Sequence, residues 1–512
     1  MFGRYDLIQN ATNELESQDN FDERVRHLSS TLTARWLFLR ALGLIFFSAF
    51  FSLWFQIHGL IGPRGILPAG AWLDLARSAL GWKAFWLAPT LLWFNASDAM
   101  LTALVIAGLL ASVTLTLNVA PRASIAVALL CFLSFVAAAQ DFSSYQSDGM
   151  LLEAAFLSLF LAPPGLRPRM AREHPPLRLA VLLLQYEWFR IYFESGLVKL
   201  LSGESQWRDF TAMEKYYENG PLPTWIAWYV QQWPHSFHAF SAAATLVIEL
   251  VVCWLIFFWR PGRITALVVT TLLQIGIILT ANYAFLNYLV IALSILILCG
   301  VGQAPSPVPA PSPAPLEAEE TGQARRLSYT GPRARAATVV LIIHFITTTA
   351  MFVFPSFPTA VLLGPTRIVN NYGLFAVMTR ARYEIEFQGT LDGKTWIAYP
   401  FRYKPQDPLQ APRIYAPYQP RFDWNLWFAS LGTWQENRWV MNTEARLMES
   451  SPPVMQLFVR DPFMKKRPLA VRSVLWRYWF TKQGERGWWH RELLGPYAPA
   501  AIRTPEGDVT FE

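Results

Sequence analysis

Long, almost uninterrupted apolar segments constrain this chain more than any other feature. Each is close to the roughly 20 residues that an α-helix needs to cross the hydrocarbon core of a bilayer, although residues 149–163 form a short one. We therefore predict a polytopic bundle of about nine membrane-spanning helices. The predicted spans are residues 36–58, 98–119, 123–140, 149–163, 177–201, 236–259, 264–281, 285–301 and 337–354.

Composition supports lipid as the solvent of the first two thirds of the chain. Hydrophobic residues make up 53% of the 512 residues and charged residues only 15%, whereas a soluble chain carries roughly a quarter. The net charge of +7 comes from arginines in short loops between apolar segments, with no aromatic-interleaved basic patch. The excess charge therefore indicates membrane topology, and no nucleic acid partner is expected.

The basic residues also predict an orientation. Positive charge concentrates in cytoplasmic loops, and the turns at 141–148 and 282–285 contain neither Lys nor Arg. With nine spans this places residues 1–35 and the Pro-rich linker 302–336 in the cytoplasm, and the chain after residue 354 outside. The arginines of the predicted inside loops are Arg167, Arg169, Arg172, Arg260, Arg263, Arg325, Arg326, Arg333 and Arg335.

Residues 355–512 are predicted to form a β-rich extracytoplasmic domain. Residues 383–387 alternate with period two and, with 396–399, flank an Asp392-Gly393 turn, which is the pattern of a β-hairpin. Further strands are predicted at 454–460 and at 471–480, the latter either paired in a sheet or lying against the membrane. Helices are predicted near 436–449 and around 424–431.

Span 177–201 carries charged residues that lipid does not tolerate. Glu187, Arg190 and Glu194 are spaced by three and four and so share one helix face, which must point into the bundle. This face either fixes helix packing or forms a polar cavity or relay. Lys199 lies about 120° away, where it could snorkel to the interface, and Glu153 is a further acid in a span.

Motifs for soluble catalysis or metal binding do not occur in the sequence. There is no HExxH, P-loop or GxSxG pattern, and the three cysteines all fall in apolar spans. No metal and no cofactor is therefore predicted, and the outer domain is expected to lack a disulfide.

Aromatic residues recur in the predicted outer segments. They indicate either an aromatic belt at the membrane interface or a surface that binds a protein. The residues proposed as a candidate client-binding surface are Trp424, Trp427, Trp476, Trp479, Trp488 and Trp489.

Several ordered motifs carry a family resemblance. The first half contains Gly59–Pro68, Ser147-Asp148-Gly149, and Ser195–Leu200. The second half contains Ile368–Phe375 and Pro417–Gly432. Together they resemble the lipase maturation factor family from about residue 30 to residue 495.

This resemblance implies a membrane protein that assists the folding or assembly of secreted lipases or other exported proteins. Family members in animals act in the endoplasmic reticulum, with the C-terminal domain in the lumen. The Ala/Arg/Pro-rich composition indicates a bacterial member, for which the membrane would be the inner one.

A more distant similarity concerns the membrane region alone. Gly196–Leu200, with Trp207 and Tyr217, is similar to vitamin K-dependent γ-carboxylase, and Lys199 falls on the position of that enzyme's base. The sequence thus leaves two hypotheses. The first is a non-enzymatic maturation factor, and the second is an intramembrane enzyme with Lys199 as base and Glu153, Glu187 and Arg190 supporting it.

Overall fold

The computed structural model describes residues 31–143, 145–168, 174–299, 331–504 and 508–512. The predicted cytoplasmic segment 1–35 and linker 302–336 lie largely outside these residues. Within them the chain divides into helices up to residue 366 and a mixed, strand-rich part from residue 382 onward.

Six helices of the described residues are long and apolar enough to cross a membrane. They are α1 (Thr31–Trp54), α5 (Asp98–Thr116), α6 (Pro121–Ala138), α11 with its 3-10 extension (His235–Phe257), α12 (Arg260–Thr280) and α14 (Pro332–Val353). These six correspond to six of the nine predicted spans.

The other three predicted spans are also helical but differ in length or composition. Helix α7 (Gln146–Leu161) has 16 residues, and the apolar helix Leu286–Leu298 begins with α13 (Leu286–Ser294). Helix α8 (Arg178–Leu201) has 24 residues and is long enough to cross a membrane, but it carries charged residues within its apolar sequence. It packs against α7, α11, α13 and α14, so its charges lie inside the bundle.

Short helices connect these long ones. After α1 come α2 (Ile57–Ile61), α3 (Ala69–Leu80) and α4 (Lys83–Leu87). After α8 come α9 (Tyr216–Asn219) and α10 (Trp225–Gln231), and α15 (Pro358–Leu363) follows α14.

The C-terminal part is built on an antiparallel sheet. Its strands are β1 (Arg382–Thr390), β2 (Ile397–Ala398), β3 (Ala470–Phe480), β4 (Trp489–Pro496), β5 (Ala501–Arg503) and β6 (Val509–Phe511). The order is β2-β1-β3-β5-β6, and β4 also pairs with β3. The hairpin predicted around Asp392 is confirmed, and the predicted strand 471–480 is the centre of the sheet.

Helices α16 (Arg421–Ala429) and α17 (Trp439–Met448) pack on this sheet and confirm the two predicted helices. The strand predicted at 454–460 is wrong. Pro452 and Pro453 occupy the first turn of a short helix, α18 (Pro452–Met455), and only Phe458 forms an isolated bridge. Proline fixes a helical φ and cannot donate to a ladder, so it favours this helix start over a strand.

Candidate functional site

A charged cluster in the centre of the bundle is built around Arg190 of α8. Its Nη1 donates to Glu153 Oε1 of α7 at 2.9 Å and its Nε donates to Glu194 Oε1 at 2.8 Å. Arg190 and Glu194 are one helical turn apart, which is the spacing at which side chains meet. The three side chains are at most 4% exposed, so the predicted buried face is present.

The cluster is completed by a segment that the helix pattern does not reveal. Residues 370–375, here called the inserted segment, lie between α15 and β1 and reach into the bundle. Asn370 Nδ2 and the Tyr372 hydroxyl both donate to Glu153 Oε2, at 3.0 and 2.8 Å. The Tyr372 backbone N–H donates to Glu194 Oε2 at 2.8 Å, and Arg190 also donates to the Asn370 carbonyl.

Two more groups close the cluster. His344 of α14 lies with Nε2 3.3 Å from Glu153 Oε1 and 3.0 Å from the Ile368 carbonyl. Glu187 is 1% exposed, and neither of its oxygens has a hydrogen-bond partner among the described residues. Breaking a buried ion pair costs several kcal/mol, so the Arg190 cluster can fix the packing of α7, α8 and α14 and hold the inserted segment in place.

Lys199 forms a separate ion pair. Its ammonium donates to both carboxylate oxygens of Glu249, at 2.8 Å each, and to the Leu374 carbonyl at 2.9 Å. Lys199 is 1% exposed, so the snorkelling interpretation is wrong. The reason is that α8 is an interior helix, and Glu249 of α11 lies within hydrogen-bond distance of the ammonium.

A cavity of 70 Å³ borders this pair. Its lining includes Tyr192, Gln274 and Asn287, which are joined by hydrogen bonds of 2.8 and 2.6 Å. An ammonium has three donors and no acceptor, and the three donors of Lys199 are engaged. The geometry therefore presents Lys199 as a charged partner of Glu249, and the residues predicted to support it as a base gather around Asn370 instead.

Two arginines of the C-terminal part bind the helical part. Arg421 forms a two-pronged ion pair with Asp148 of α7, with both distances 2.8 Å and both side chains 0% exposed. Arg382 donates to the carbonyls of Glu218 and Pro221, at 3.1 and 2.9 Å. These contacts, with the inserted segment, form what we call the seam between the two parts.

Only some of the tryptophans predicted to form a client-binding surface are exposed. Trp424, Trp427 and Trp489 are 5%, 8% and 2% exposed, so for these three the prediction is wrong. Their rings pack in the core and at the seam. Trp424 stacks on Tyr145, and the indole N–H of Trp427 donates to the Asn219 carbonyl at 2.9 Å. Burial of such large apolar side chains stabilises the folded state of a domain that is surrounded by water.

The remaining three predicted tryptophans lie on or beside the β3–β4 hairpin. Trp479 is 36% exposed, and Trp476 and Trp488 are half-buried. Among the strands that the structure describes, β4 pairs with β3 alone, and its Leu493 and Leu494 are about half exposed. Among the described residues no group of three or more His, Cys, Asp or Glu side chains is arranged to hold a metal ion.

Comparison with known proteins gives consistent results over nearly the whole chain. Residues 33–301 match the lipase maturation factor transmembrane domain, and residues 368–499 match the lipase maturation factor C-terminal domain. Lipase maturation factor 1 of Bos taurus is 32% identical, covering 92% of this chain and 89% of that protein.

Human relatives show a similar extent of coverage. Human lipase maturation factor 1 is 29% identical over 92% of this chain and 88% of its own, and human lipase maturation factor 2 is 29% identical over 93% and 83%. No solved structure matches the chain.

Proposed function

The chain belongs to the lipase maturation factor family, and we propose that it assists the folding or assembly of a secreted lipase or another exported protein. The observation that carries the proposal is the seam. The Arg421–Asp148 pair and the Arg190 cluster fix the sheet on the bundle, so the β3–β4 hairpin is presented in one orientation relative to the membrane.

We place the client on this hairpin. The outer edge of β4 pairs with no strand among the described residues, and extended polypeptides bind such edges through main-chain hydrogen bonds. Trp479, Leu493 and Leu494 are exposed beside it and would contact apolar side chains of a client that is not yet folded.

The topology that fits this role has nine spans with the N-terminus in the cytoplasm and the sheet domain outside. The arginines of the predicted inside loops support it, because positive charge is retained on the cytoplasmic side. Residues 302–336 would then be cytoplasmic, and residues 355–512 would be periplasmic in a bacterial inner membrane or lumenal in an endoplasmic reticulum.

A surface variant tests the role of the hairpin better than deletion of the domain, since deletion would also remove Arg421, the ion-pair partner of Asp148. The variant Trp479→Ser with Leu493→Ser should reduce the activity of a secreted lipase in a deletion strain at least severalfold, without lowering the level of the membrane protein. Met464→Ser is the matched control, because Met464 is 86% exposed in the same domain but lies outside the hairpin.

Full lipase activity with the hairpin variant would reject the hairpin as client surface. Equal loss with Met464→Ser would also reject it, since the effect would then follow from any exposed apolar substitution. Sedimentation would report the assembly state of the lipase. A lipase that is misassembled can thereby be distinguished from one that is correctly assembled but not secreted.

A further inference from the structure

A groove between the bundle and the sheet domain is used by neither the Arg190 cluster nor the client surface. It has a volume of 760 Å³, within the range of small-molecule sites. One wall comes from the C-terminal end of α1 and the start of α5, and the other comes from residues 402–403, 418–423 and 456–457. It is therefore where a membrane-spanning helix ends and the outer domain begins.

The helical wall is aromatic and faces outward. Phe51, Trp54 and Phe55 are 42%, 43% and 52% exposed on a helix apolar enough to span a membrane. The rings of Phe47, Phe51 and Phe55 follow one another at centroid distances of 5.9 and 5.1 Å. Such a surface on a membrane span is solvated by acyl chains.

The aromatic wall continues from the helix onto the outer domain. Phe51 meets Tyr418 at 6.4 Å, and Tyr418 meets Tyr403 at 5.3 Å. Gln56 Nε2 donates to the Gln419 carbonyl at 2.9 Å and Ser48 donates to the Pro417 carbonyl at 2.8 Å, so both walls are tied together. The groove is consequently a fixed feature of the seam.

The polar end of the groove carries one guanidinium with free donors. Arg402 is exposed, and its Nε donates to the Gln456 carbonyl at 3.1 Å. No carboxylate of the described residues forms an ion pair with it. Asp423, the acid in the lining, is buried, and its carboxylate accepts the backbone N–H groups of Tyr403 and Lys404.

We propose that this groove binds an anionic phospholipid of the surrounding leaflet, with an acyl chain along Phe51 and Phe55 and the phosphate on Arg402. The two terminal NH2 groups of Arg402 have no hydrogen bond among the described residues, and a guanidinium binds a phosphate in two-pronged fashion; the aromatic wall runs from the spanning helix toward that guanidinium. The occupant is a membrane lipid because the apolar wall belongs to a helix that is long and apolar enough to span a membrane, and its aromatic rings are about half exposed. This inference goes beyond the proposed function and stands independently of the client surface.

Native mass spectrometry of the full-length chain tests the headgroup. With equal amounts of phosphatidylglycerol and phosphatidylcholine, the protein should retain phosphatidylglycerol, and Arg402→Gln should reduce its retention about tenfold, as expected for loss of one charge-assisted contact. Arg467→Gln is the matched control, since Arg467 is exposed in the same domain but outside the groove, and should leave retention unchanged. Equal retention of the two lipids, no effect of Arg402→Gln, or an equal effect of Arg467→Gln would overturn the proposal.

Photo-crosslinking tests the acyl chain. Phosphatidylglycerol with a photoreactive acyl chain should label peptides containing residues 51–57 and 403–422 more than other exposed apolar helix faces, and Phe55→Ala should reduce that labelling. Uniform labelling of all exposed faces would overturn the site. Stronger labelling by a photoreactive free fatty acid, or recovery of a client peptide in the groove in place of lipid, would overturn the assignment to a bilayer lipid.

Discussion

The helical part and the sheet part of this chain place some of their large aromatic residues differently but bury the arginines of the seam in the same way. The bundle exposes Phe51 and Trp54 by about two fifths, whereas the sheet domain buries Trp424 and Trp489 almost completely. Acyl chains solvate an exposed ring and water does not, so an exposed ring on a spanning helix is stabilised without a protein partner, whereas a ring of the sheet domain gains by burial. The arginines of the seam are buried in both parts, because Arg190 of the bundle and Arg421 of the sheet part each find acceptors across the seam.

The strongest test of this comparison removes one arginine of the seam. Arg421→Met leaves the Asp148 carboxylate buried and unpaired, so we expect a loss of about 3–5 kcal/mol in the free energy of unfolding. The measurement is thermal unfolding of the purified protein in detergent. Adding Asp148→Leu should restore most of the loss, because the pair is then replaced by apolar groups.

An unchanged melting temperature for Arg421→Met would break the comparison, since the seam would then not depend on buried arginine. Equal instability of the single and double variants would show instead that packing volume, and not charge, is what the site requires.

The second test concerns an acid buried in the sheet domain. Glu444 of α17 is 0% exposed, and burial raises its pKa from the ordinary value of 4.5 to about 8. The folded state thus retains a proton that the unfolded chain releases near pH 4.5. The stabilisation is complete below that pH and is lost as the pH rises through 8, by roughly 2–4 kcal/mol in total.

Thermal unfolding between pH 5 and 8.5 measures this dependence. The amide of Glu444→Gln does not titrate, so the melting temperature of this variant should fall less steeply with pH than that of the unmodified chain. Parallel pH profiles for the two proteins would contradict the assignment.

A third, smaller effect is expected within the Arg190 cluster. Tyr372→Phe removes one hydrogen bond to Glu153 but leaves those from Arg190 and Asn370, so the loss should be about 1–2 kcal/mol. The measurement is again thermal unfolding, and lipase activity should fall only in proportion to the amount of folded protein. A complete loss of activity with normal stability would show that the Tyr372 hydroxyl takes part in function.

The sequence predicts which residues are buried in the bundle better than it predicts their partners. Charges at positions 187, 190 and 194 must leave lipid, so the interior position of α8 follows from physics alone. Their partners lie far along the chain: Asn370 is 180 residues from Arg190, and Tyr372 is 178 residues from Glu194. No periodicity of the sequence connects residues so far apart. The same holds for Asp148 and Arg421, which are 273 residues apart.

The sheet domain shows where local patterns mislead. Residues 383–387 have an unambiguous turn beside them and form the predicted hairpin, whereas 454–460 follow two prolines that start a helix. The tryptophans of α16 belong to a helix between sheet and bundle, which a single sequence does not reveal. Tertiary packing determines whether an aromatic side chain is exposed, and the amino-acid composition of a segment therefore does not predict its exposure.

The smallest expected effect is at an ion pair that water reaches. Arg446 Nη1 lies 2.8 Å from Glu449 Oε2, but the two side chains are 26% and 50% exposed. Exposed pairs contribute about 0–1 kcal/mol because solvent screens them, so Glu449→Gln should shift the free energy of unfolding by less than about 0.5 kcal/mol. Since this distance equals that of the Arg421–Asp148 pair, thermal unfolding of the two variants side by side compares a buried pair with an exposed pair at the same separation. A loss for Glu449→Gln comparable with that for Arg421→Met would mean that arginine pairing, and not its enclosure at the seam, determines stability.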